Sequence, residues 1–400
     1  MSRSFYLAAW LGFALLFVSA THYYIWARLV RDVALGPGWS RVGALVVVSL
    51  GLSIPMAFVV GRLFVGPAVR TTVWLAFVWL GIFFLLLMAL GSVDILRLLG
   101  ALVVRPLGPG WVDPERRLFL ARLVGGAVVC GVFGVTGIAI RSALASPEVK
   151  RVSVSLSRLP RALSGLKVVQ ISDLHVSPTL GRAYVAGVVD KINAAQPDVV
   201  AITGDLVDGS VAALRHAVAP LRRIRARFGV FFVTGNHEYY AGADAWIAEL
   251  SRMGIRVLHN ACVEVGEGNA TLYVAGIDDW TAHRFGSQHG ADMAQALSGC
   301  DPSKEILLLA HQPKVIDEAA ERGVGLVLSG HTHGGQIFPF GCFVRLQQPY
   351  IAGLHRHGAS GTQIYVSRGT GYWGPPMRLR APSEITLLEL CAPGEDVRGA

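Results

Sequence analysis

The sequence predicts a membrane region of four transmembrane helices followed by an α/β domain of layered strands and helices. Two observations carry that reading. Over 400 residues the composition is 52% hydrophobic and only 16% charged, against about 25% charged in an average soluble domain, and the apolar excess is concentrated before Arg141. Beyond residue 166, short continuous apolar runs rich in β-branched residues end abruptly in Asp, Asn, His and Gly. This composition excludes intrinsic disorder, a collagen-like repeat and a disulfide scaffold.

The membrane region comes first. Phe5–Ala27, Val42–Gly61, Thr71–Val93 and Leu123–Ile140 are uncharged, and about 20 helical residues span the hydrocarbon core of a bilayer. Residues 1–141 hold 12 Arg, no Lys and 4 acidic residues, whereas the remainder holds 24 basic and 23 acidic residues. The net charge of +9 is therefore carried between apolar segments, as in membrane proteins, not as a patch on a folded domain, and no nucleic-acid partner is expected. Eight Arg fall in the 28–41 and 97–122 connections, against Arg3, Arg62 and Arg70 at the N-terminal end and in the 62–70 connection. This bias predicts that the first and third connections lie inside, with the C-terminal domain on the exported side of a bacterial inner membrane. The basic residues Arg141, Lys150, Arg151 and Arg158 after the last stretch reduce it. Glu115–Leu120 resembles a twin-arginine export motif, and Ala143-Leu144-Ala145 resembles a cleavage site, although such signals normally begin a chain.

Residues 142–165, with Pro147 and Pro160 and no sustained period, are predicted to be a linker. The domain follows over 166–391, with 392–400 as a tail. Strands are predicted at Leu166–Ile171, Val199–Thr203, Val230–Thr234, Leu272–Ile277, Ile306–Ala310 and Leu326–Ser329. Their continuous apolarity indicates burial on both faces. Helices are predicted at Ala183–Ala195, Val211–Arg227 and Ala243–Met253. Strand alternating with helix gives α/β layers, whose sites lie beyond the carboxyl ends of the strands.

The residues at those ends are Asp173 and His175 in SDLH, Asp205 and Asp208 in GDLVD, and Asn236, His237 and Glu238 in GNHEYY. His311 follows in AHQP, then His331 and His333 in GHTHGGQ. Each motif alone is weak, since Asp-x-His arises by chance and Gly-Asp usually marks a turn. Five such strand ends in one domain have no packing rationale, because burying unpaired carboxylates and imidazoles is costly. The set can bind two cations. Mixed carboxylate, imidazole and amide donors suit Mn, Fe or Zn over Ca or Mg, and Asp205 is the natural bridging carboxylate. No cysteine belongs to the set: Cys130 lies in an apolar run, and Cys262, Cys300, Cys342 and Cys391 form no CxxC pair.

The ordered series D-x-H, G-D-x-x-D, G-N-H-E, H and G-H-T-H resembles the calcineurin-like metallophosphoesterases over roughly residues 166–390. The wording QISDLH, GNHEYY, SGHTHGGQIFP and YVSRGTG is similar to a bacterial membrane-associated branch that includes cryptic phosphodiesterases and hydrolases of UDP-2,3-diacylglucosamine. The resemblance implies a two-sheet sandwich flanked by helices. It implies one metal held by Asp173, His175, Asp205 and His333, and a second held by Asp205, Asn236, His311 and His331. It further implies that His237 binds no metal but protonates the leaving oxygen, oriented by Asp208; a carboxylate on one imidazole nitrogen fixes the tautomer. One departure is that Asp208 is followed by Gly209 and Ser210 where protein Ser/Thr phosphatases of the superfamily carry Arg-Gly, which argues against a protein substrate.

The expected function is a membrane-anchored, metal-dependent phosphoric ester hydrolase in which a hydroxide shared by two metals attacks phosphorus. The bond is a phosphodiester, phosphomonoester or pyrophosphate, in a phosphorylated and lipid-linked substrate at the bilayer. The competing reading, a non-catalytic sensor or scaffold, is disfavoured because every ligand position is filled. Arg368 in YVSRGTG is a candidate for substrate phosphate, with a structural role as the alternative. Arg378 and Arg380 read as surface residues, and His283 and His289 as a polar loop at the rim.

Overall fold

Three of the four long helices begin on proline, whose fixed φ suits the first helical position and whose missing N–H is not needed there. They are α2 (Pro37–Leu63), α3 (Pro67–Val104) and α4 (Pro114–Leu144), preceded by α1 (Arg3–Trp26). The computed structural model describes residues 3–63, 66–104, 113–286 and 288–394. Arg105, counted above among the loop charges, and residues 395–400 of the predicted tail lie outside the described residues, as do the side chains of Arg3 and Arg62. The chain divides into two units, Met1–Ile140 with Gly374–Met377, and Arg141–Trp373 with Arg378–Ala400.

In the first unit, all four helices are long and apolar enough to cross a membrane. Leu45, Leu52, Leu98, Phe133 and Ile138 point outward, the arrangement expected where the surroundings are as apolar as the core. Several polar groups inside are paired. Trp79 Nε1 donates to His22 Nε2 at 3.2 Å. Arg28, on the single helical turn after α1, holds Asp94 of α3 at 2.9 Å and Asp32 at 2.7 Å. Helix α3 thus runs past the uncharged stretch 71–93, because Asp94 has a cation to meet.

The second unit contains β1 (Glu148–Ser155), β2 (Leu166–Ile171), α5 (Arg182–Ala194), β3 (Val199–Thr203), α6 (Val211–Val218) and β4 (Gly229–Val233). There follow α7 (Asn236–Ala241), α8 (Ala243–Arg252), β5 (Arg256–Val257), β6 (Ala261–Glu267), β7 (Ala270–Gly276) and α9 (Met293–Leu297). The last are β8 (Ile306–Leu309), α10 (Ile316–Glu321), β9 (Leu326–Ser329), α11 (Gly341–Val344), β10 (Gly353–Arg356), β11 (Gln363–Val366) and β12 (Glu384–Cys391).

Two six-stranded sheets form, in the orders β1-β12-β2-β3-β4-β5 and β10-β11-β9-β8-β7-β6. Strands β2 to β5 are mutually parallel, as are β7, β8, β9 and β11. The sheets pack face to face. Val168, Ala201, Phe231 and Val233 of the first share one buried cluster with Val274, Leu307, Leu309 and Leu328 of the second. The alternate residues Val169, Ile171, Ile202 and Phe232 face outward onto Val188 and Ile192 of α5 and Trp246 of α8. Helices α9 and α10 cover the other outer face through Met293, Ile316 and Ala319. Both faces of each central strand are buried, which is why the runs are apolar without alternation. The layers are those of the two-sheet sandwich flanked by helices.

Three expectations are corrected. Residues 142–165 are not a linker. Helix α4 continues to Leu144, and β1 pairs in parallel with β12 from Glu148↔Glu384 to Ser155↔Cys391. The edge position leaves one face of β1 open to water, so its Lys150, Arg151 and alternating pattern imitate a loop. The helix expected over Val211–Arg227 ends at Val218 and gives way to a tight turn at Ala219–Arg223, since Pro220 supplies no N–H to continue the ladder. The predicted tail also begins inside the fold, with Ala392 fully buried and its N–H donating to Ser164 Oγ.

Candidate active site

Every predicted ligand and both predicted catalytic residues follow the carboxyl end of a parallel strand. Asp173 and His175 follow β2, Asp205 and Asp208 follow β3, and Asn236 and His237 open α7 after β4. His311 follows β8, and His331 and His333 follow β9. The structure brings eight of these nine residues into three adjoining groups of potential ligand atoms: Asp173, His175 and His333; Asp205, His311 and His331; and His175, Asp208 and His237.

Asp205 lies between them. Its Oδ2 is 3.2 Å from His311 Nε2, 3.8 Å from His175 Nε2 and 4.0 Å from His237 Nε2. On one side, His175 Nε2 and His333 Nε2 face each other at 3.1 Å, with Asp173 Oδ1 at 3.3 Å from His333. On the other, His311 Nε2 and His331 Nδ1 are 3.2 Å apart. Asn236 Oδ1 is buried and meets no hydrogen-bond donor. A buried amide oxygen without a donor is costly, and opposed imidazole nitrogens gain little from each other. Both features are what a cation would satisfy, so the donor set fits divalent metal.

The backbone is shaped for the same purpose. Asp173, His175, Asp205, His331 and His333 all adopt positive φ, between 47° and 69°, a region costly for non-glycine residues and concentrated at functional sites. Two glycines permit the close approach of neighbouring loops. A Cβ on Gly235 would lie 2.2 Å from Asp205 Oδ1, and one on Gly330 would lie 2.3 Å from Asp173 Oδ2.

Partners behind the donors fix their tautomers. His311 Nδ1 donates to the Thr203 carbonyl at 2.8 Å, which leaves Nε2 free for a cation. Asp208 Oδ1 accepts from His175 Nδ1 at 2.9 Å and from His237 Nδ1 at 2.6 Å. One carboxylate therefore orients both a predicted ligand and the predicted acid. The sequence reading gave Asp208 only the second task. Burial opposes charge on Asp208, but the His175 and His237 imidazoles hold its carboxyl well below the usual range. Burial likewise opposes charge on Asp205, and His311 and His237 outweigh it. Burial lowers His237, yet Asp205 and Asp208 together raise it to about 9. His333 is held neutral by burial, then by His175 and Arg378.

Several residues contribute in ways the motifs did not announce. Glu238 is fully buried and accepts from the N–H groups of Asp205, Leu206, Val207 and Gly235 at 2.6–3.3 Å, so it ties the β3 turn to the β4 turn. Burial beside Asp205 pushes its carboxyl up to about 7, against the pull of those N–H groups. Glu238→Gln replaces an acceptor oxygen by a donor facing N–H groups. It is expected to cost about 1–3 kcal/mol and to lower the Tm of the detergent-solubilised chain.

Arg378 is not a surface residue but 1% exposed. Its guanidinium donates to the carbonyls of Gly371 and Ala381 at 2.5–2.8 Å and to the His333 carbonyl at 3.4 Å. Nothing in an isolated Arg marks such a role; only the loop closing over β2 creates it. Arg378→Met strands those carbonyls, and Arg378→Lys cannot reproduce the planar fork. Both are expected to lower Tm, by the equivalent of about 1–3 kcal/mol for each unpaired carbonyl.

Tyr239 and Tyr240 separate. Tyr239 is buried with its hydroxyl against Thr234, while Tyr240 is exposed with its ring 5.4 Å from that of His237. Trp373, also exposed, approaches the same imidazole at 5.6 Å. Asp279 is fully buried and accepts from Gln312 Nε2 at 2.9 Å, beside His311. Arg368, the candidate for substrate phosphate, is bound by Glu384 at 2.9 Å.

Similarity to known proteins agrees with this geometry. The calcineurin-like phosphoesterase family model matches residues 166–335. A Danio rerio protein named as a transmembrane protein with metallophosphoesterase domain is 39% identical over 326 residues, covering 79% of this chain and 73% of its own. Its Bos taurus namesake is 42% identical, covering 71% of this chain and 65% of its own. An uncharacterized metallophosphoesterase of Helicobacter pylori is 38% identical, covering 69% and 73%. The Danio rerio alignment is too long to fit within residues 166–400, so the similarity reaches into the helical region. The chain belongs to the calcineurin-like phosphoesterase family of metal-dependent phosphoric ester hydrolases.

Proposed function

We propose that the protein is a membrane-anchored phosphoesterase using two divalent metals, which hydrolyses a phosphodiester, phosphomonoester or pyrophosphate bond in a lipid-linked substrate. The observation that carries the two-metal reading is the pair of ligand groups flanking Asp205 Oδ2, with the donorless Asn236 oxygen beside them. Asp173, His175, Asp205 and His333 would hold one cation, and Asp205, Asn236, His311 and His331 the other. Bound there, the cations supply Lewis-acid charge for the phosphoryl oxygens and lower the pKa of water for attack on phosphorus.

The chain's own groups do the rest. Asp208 holds Nδ1–H of His237, so the proton on Nε2 points toward the cluster, where the leaving oxygen departs. His237 delivers that proton and returns to neutral imidazole. Tyr240 and Trp373 flank the imidazole and limit its rotation and hydration. Glu238 keeps the β3 and β4 turns in register.

The four apolar helices favour a substrate that resides at a bilayer, and the Arg bias of the connections favours an exported catalytic domain. An exported domain fits a phospholipid or lipid pyrophosphate better than a nucleotide-linked lipid made in the cytoplasm. The test is the full chain in detergent, stripped of metal and reloaded with Mn²⁺ or Zn²⁺. It is assayed against a generic diester, a generic monoester, phospholipids, a lipid pyrophosphate and UDP-diacylglucosamine. Metal-dependent turnover that is fastest on a lipid supports the reading. Turnover confined to water-soluble esters removes the lipid linkage, and no metal uptake removes the whole.

A further inference from the structure

Away from the predicted ligands, a second set of metal-binding side chains converges from three separate segments. His259 lies in the turn between β5 and β6, Asp278 follows β7, and His289 lies in the loop before α9. One potential ligand atom from each falls within 4.8 Å of the others. Neighbouring strand ends bring the first two together. His259 Nδ1 is 2.7 Å from Asp278 Oδ1. The third is held by hydrogen bonds that do not involve its own ring. Asp278 Oδ2 accepts from the Gly290 N–H at 3.2 Å, and Asn260 Nδ2 donates to the Gly290 carbonyl at 2.7 Å. Asn260 Oδ1 in turn accepts from the Asp278 and Asp292 N–H groups.

Two features distinguish this set from an ordinary His–Asp hydrogen bond. His289 Nδ1 is buried without any partner, an arrangement that costs free energy unless something accepts its lone pair. Its other nitrogen, Nε2, lies 3.4 Å from Asp244 Oδ1. A carboxylate behind the far nitrogen is how metal-bound imidazoles are oriented, because it puts the proton on Nε2 and leaves Nδ1 bare. The His259 side chain is 44% exposed, which gives an ion a route in and leaves a coordination position for water. Two imidazoles, one carboxylate and no thiolate suit Zn²⁺ or a similar borderline divalent ion.

We propose that His259, Asp278 and His289 form a mononuclear Zn²⁺-type site separate from the active-site cluster. An ion there replaces the His259–Asp278 hydrogen bond and ties the loop 278–292 to the β5–β6 turn. Phe285 in that loop packs its ring 5.6 Å from Tyr239 and 5.5 Å from Tyr240, and His289 packs 5.1 Å from Tyr239. The ion would therefore stiffen the wall that carries Tyr240 against His237.

The test counts metal per chain by elemental analysis on the full protein in detergent, stripped with chelator and reloaded with Zn²⁺ or Co²⁺. The parent is compared with His259→Ala, His289→Ala, the double variant Asp205→Asn with His311→Ala, and that double variant carrying His259→Ala. Each His variant should hold one equivalent fewer than the parent. The double variant should still take up one equivalent, show the visible bands of four-coordinate Co²⁺ and gain Tm with Zn²⁺; adding His259→Ala should abolish all three. An unchanged count in both His variants overturns the proposal, as does a double variant that binds no metal. Because His259 is exposed, an unaltered Tm in chelator verifies that its variant folds. The two readings fail separately. A parent with one equivalent, lost in His259→Ala, keeps this site and removes the two-metal centre, whereas a parent with two equivalents, both retained in His259→Ala, does the reverse.

Discussion

Asp205→Asn is expected to abolish most turnover and to empty both halves of the active-site cluster at once. Its Oδ2 is the atom nearest to both ligand groups, 3.2 Å from His311 and 3.8 Å from His175. The substitution removes a shared negative charge while keeping the shape. The Oδ1 bond from the His237 N–H, 2.9 Å long, can survive in Asn, so the turn should remain folded. Losing an outer partner alone costs about 10–100-fold in metal affinity. A shared ligand weakens two ions, so compounded losses of about 10²–10⁴-fold or more are expected in kcat/KM at limiting metal. Metal analysis of the purified variant should show both equivalents reduced, with the Tm in chelator close to that of the parent. A variant that loses only one of the two active-site equivalents would show that Asp205 does not bridge.

The contrast with Arg378 shows what the sequence made legible. Asp205, His311 and their companions sit at the ends of apolar runs, where a change from Val and Ile to Asp and His is visible without a structure. The central strands are legible for the same reason: both faces are buried, so the apolar run is continuous and its end is sharp. Strand β1 is not legible. Its partner β12 is more than 200 residues away, its exposed face carries Arg151 and Ser153, and Lys150 joins the apolar residues of the other face. Arg378 and Glu238 are illegible for another reason. A buried charge looks the same in sequence as an exposed one, and only the carbonyls or N–H groups converging on it reveal its role. Asp208 is half legible: the family resemblance links it to His237, but that the same oxygen also holds His175 is a fact of loop geometry. Asp278 and His289 are not legible as a pair, because 11 residues and a helical turn separate them and nothing in their spacing follows a helix or strand period.

His237→Ala should leave the metals in place and lose turnover, the opposite pattern to Asp205→Asn. The imidazole is not among the nitrogens that face each other across the two ligand groups. Its Nε2 stands 4.0 Å from Asp205 Oδ2, and its Nδ1 is engaged by Asp208. Loss of a positioned general acid costs about 10²–10⁴-fold in kcat. The cost should shrink for substrates whose leaving group needs no proton, so an activated aryl ester should suffer far less than an alkyl ester. Full metal content with that leaving-group dependence would establish the role, whereas metal lost together with activity would make His237 a ligand. The stripped protein adds a second readout. Burial lowers the His237 pKa, but Asp205 and then Asp208 raise it from 6.5 to about 9. A group raised on folding contributes stability that is complete below 6.5 and vanishes as pH rises through about 9. The Tm advantage of the stripped parent over stripped His237→Ala should therefore be greatest near pH 6 and should narrow across that window. Reloading with metal should diminish the effect, because cations on Asp205 take over the charge that His237 neutralises.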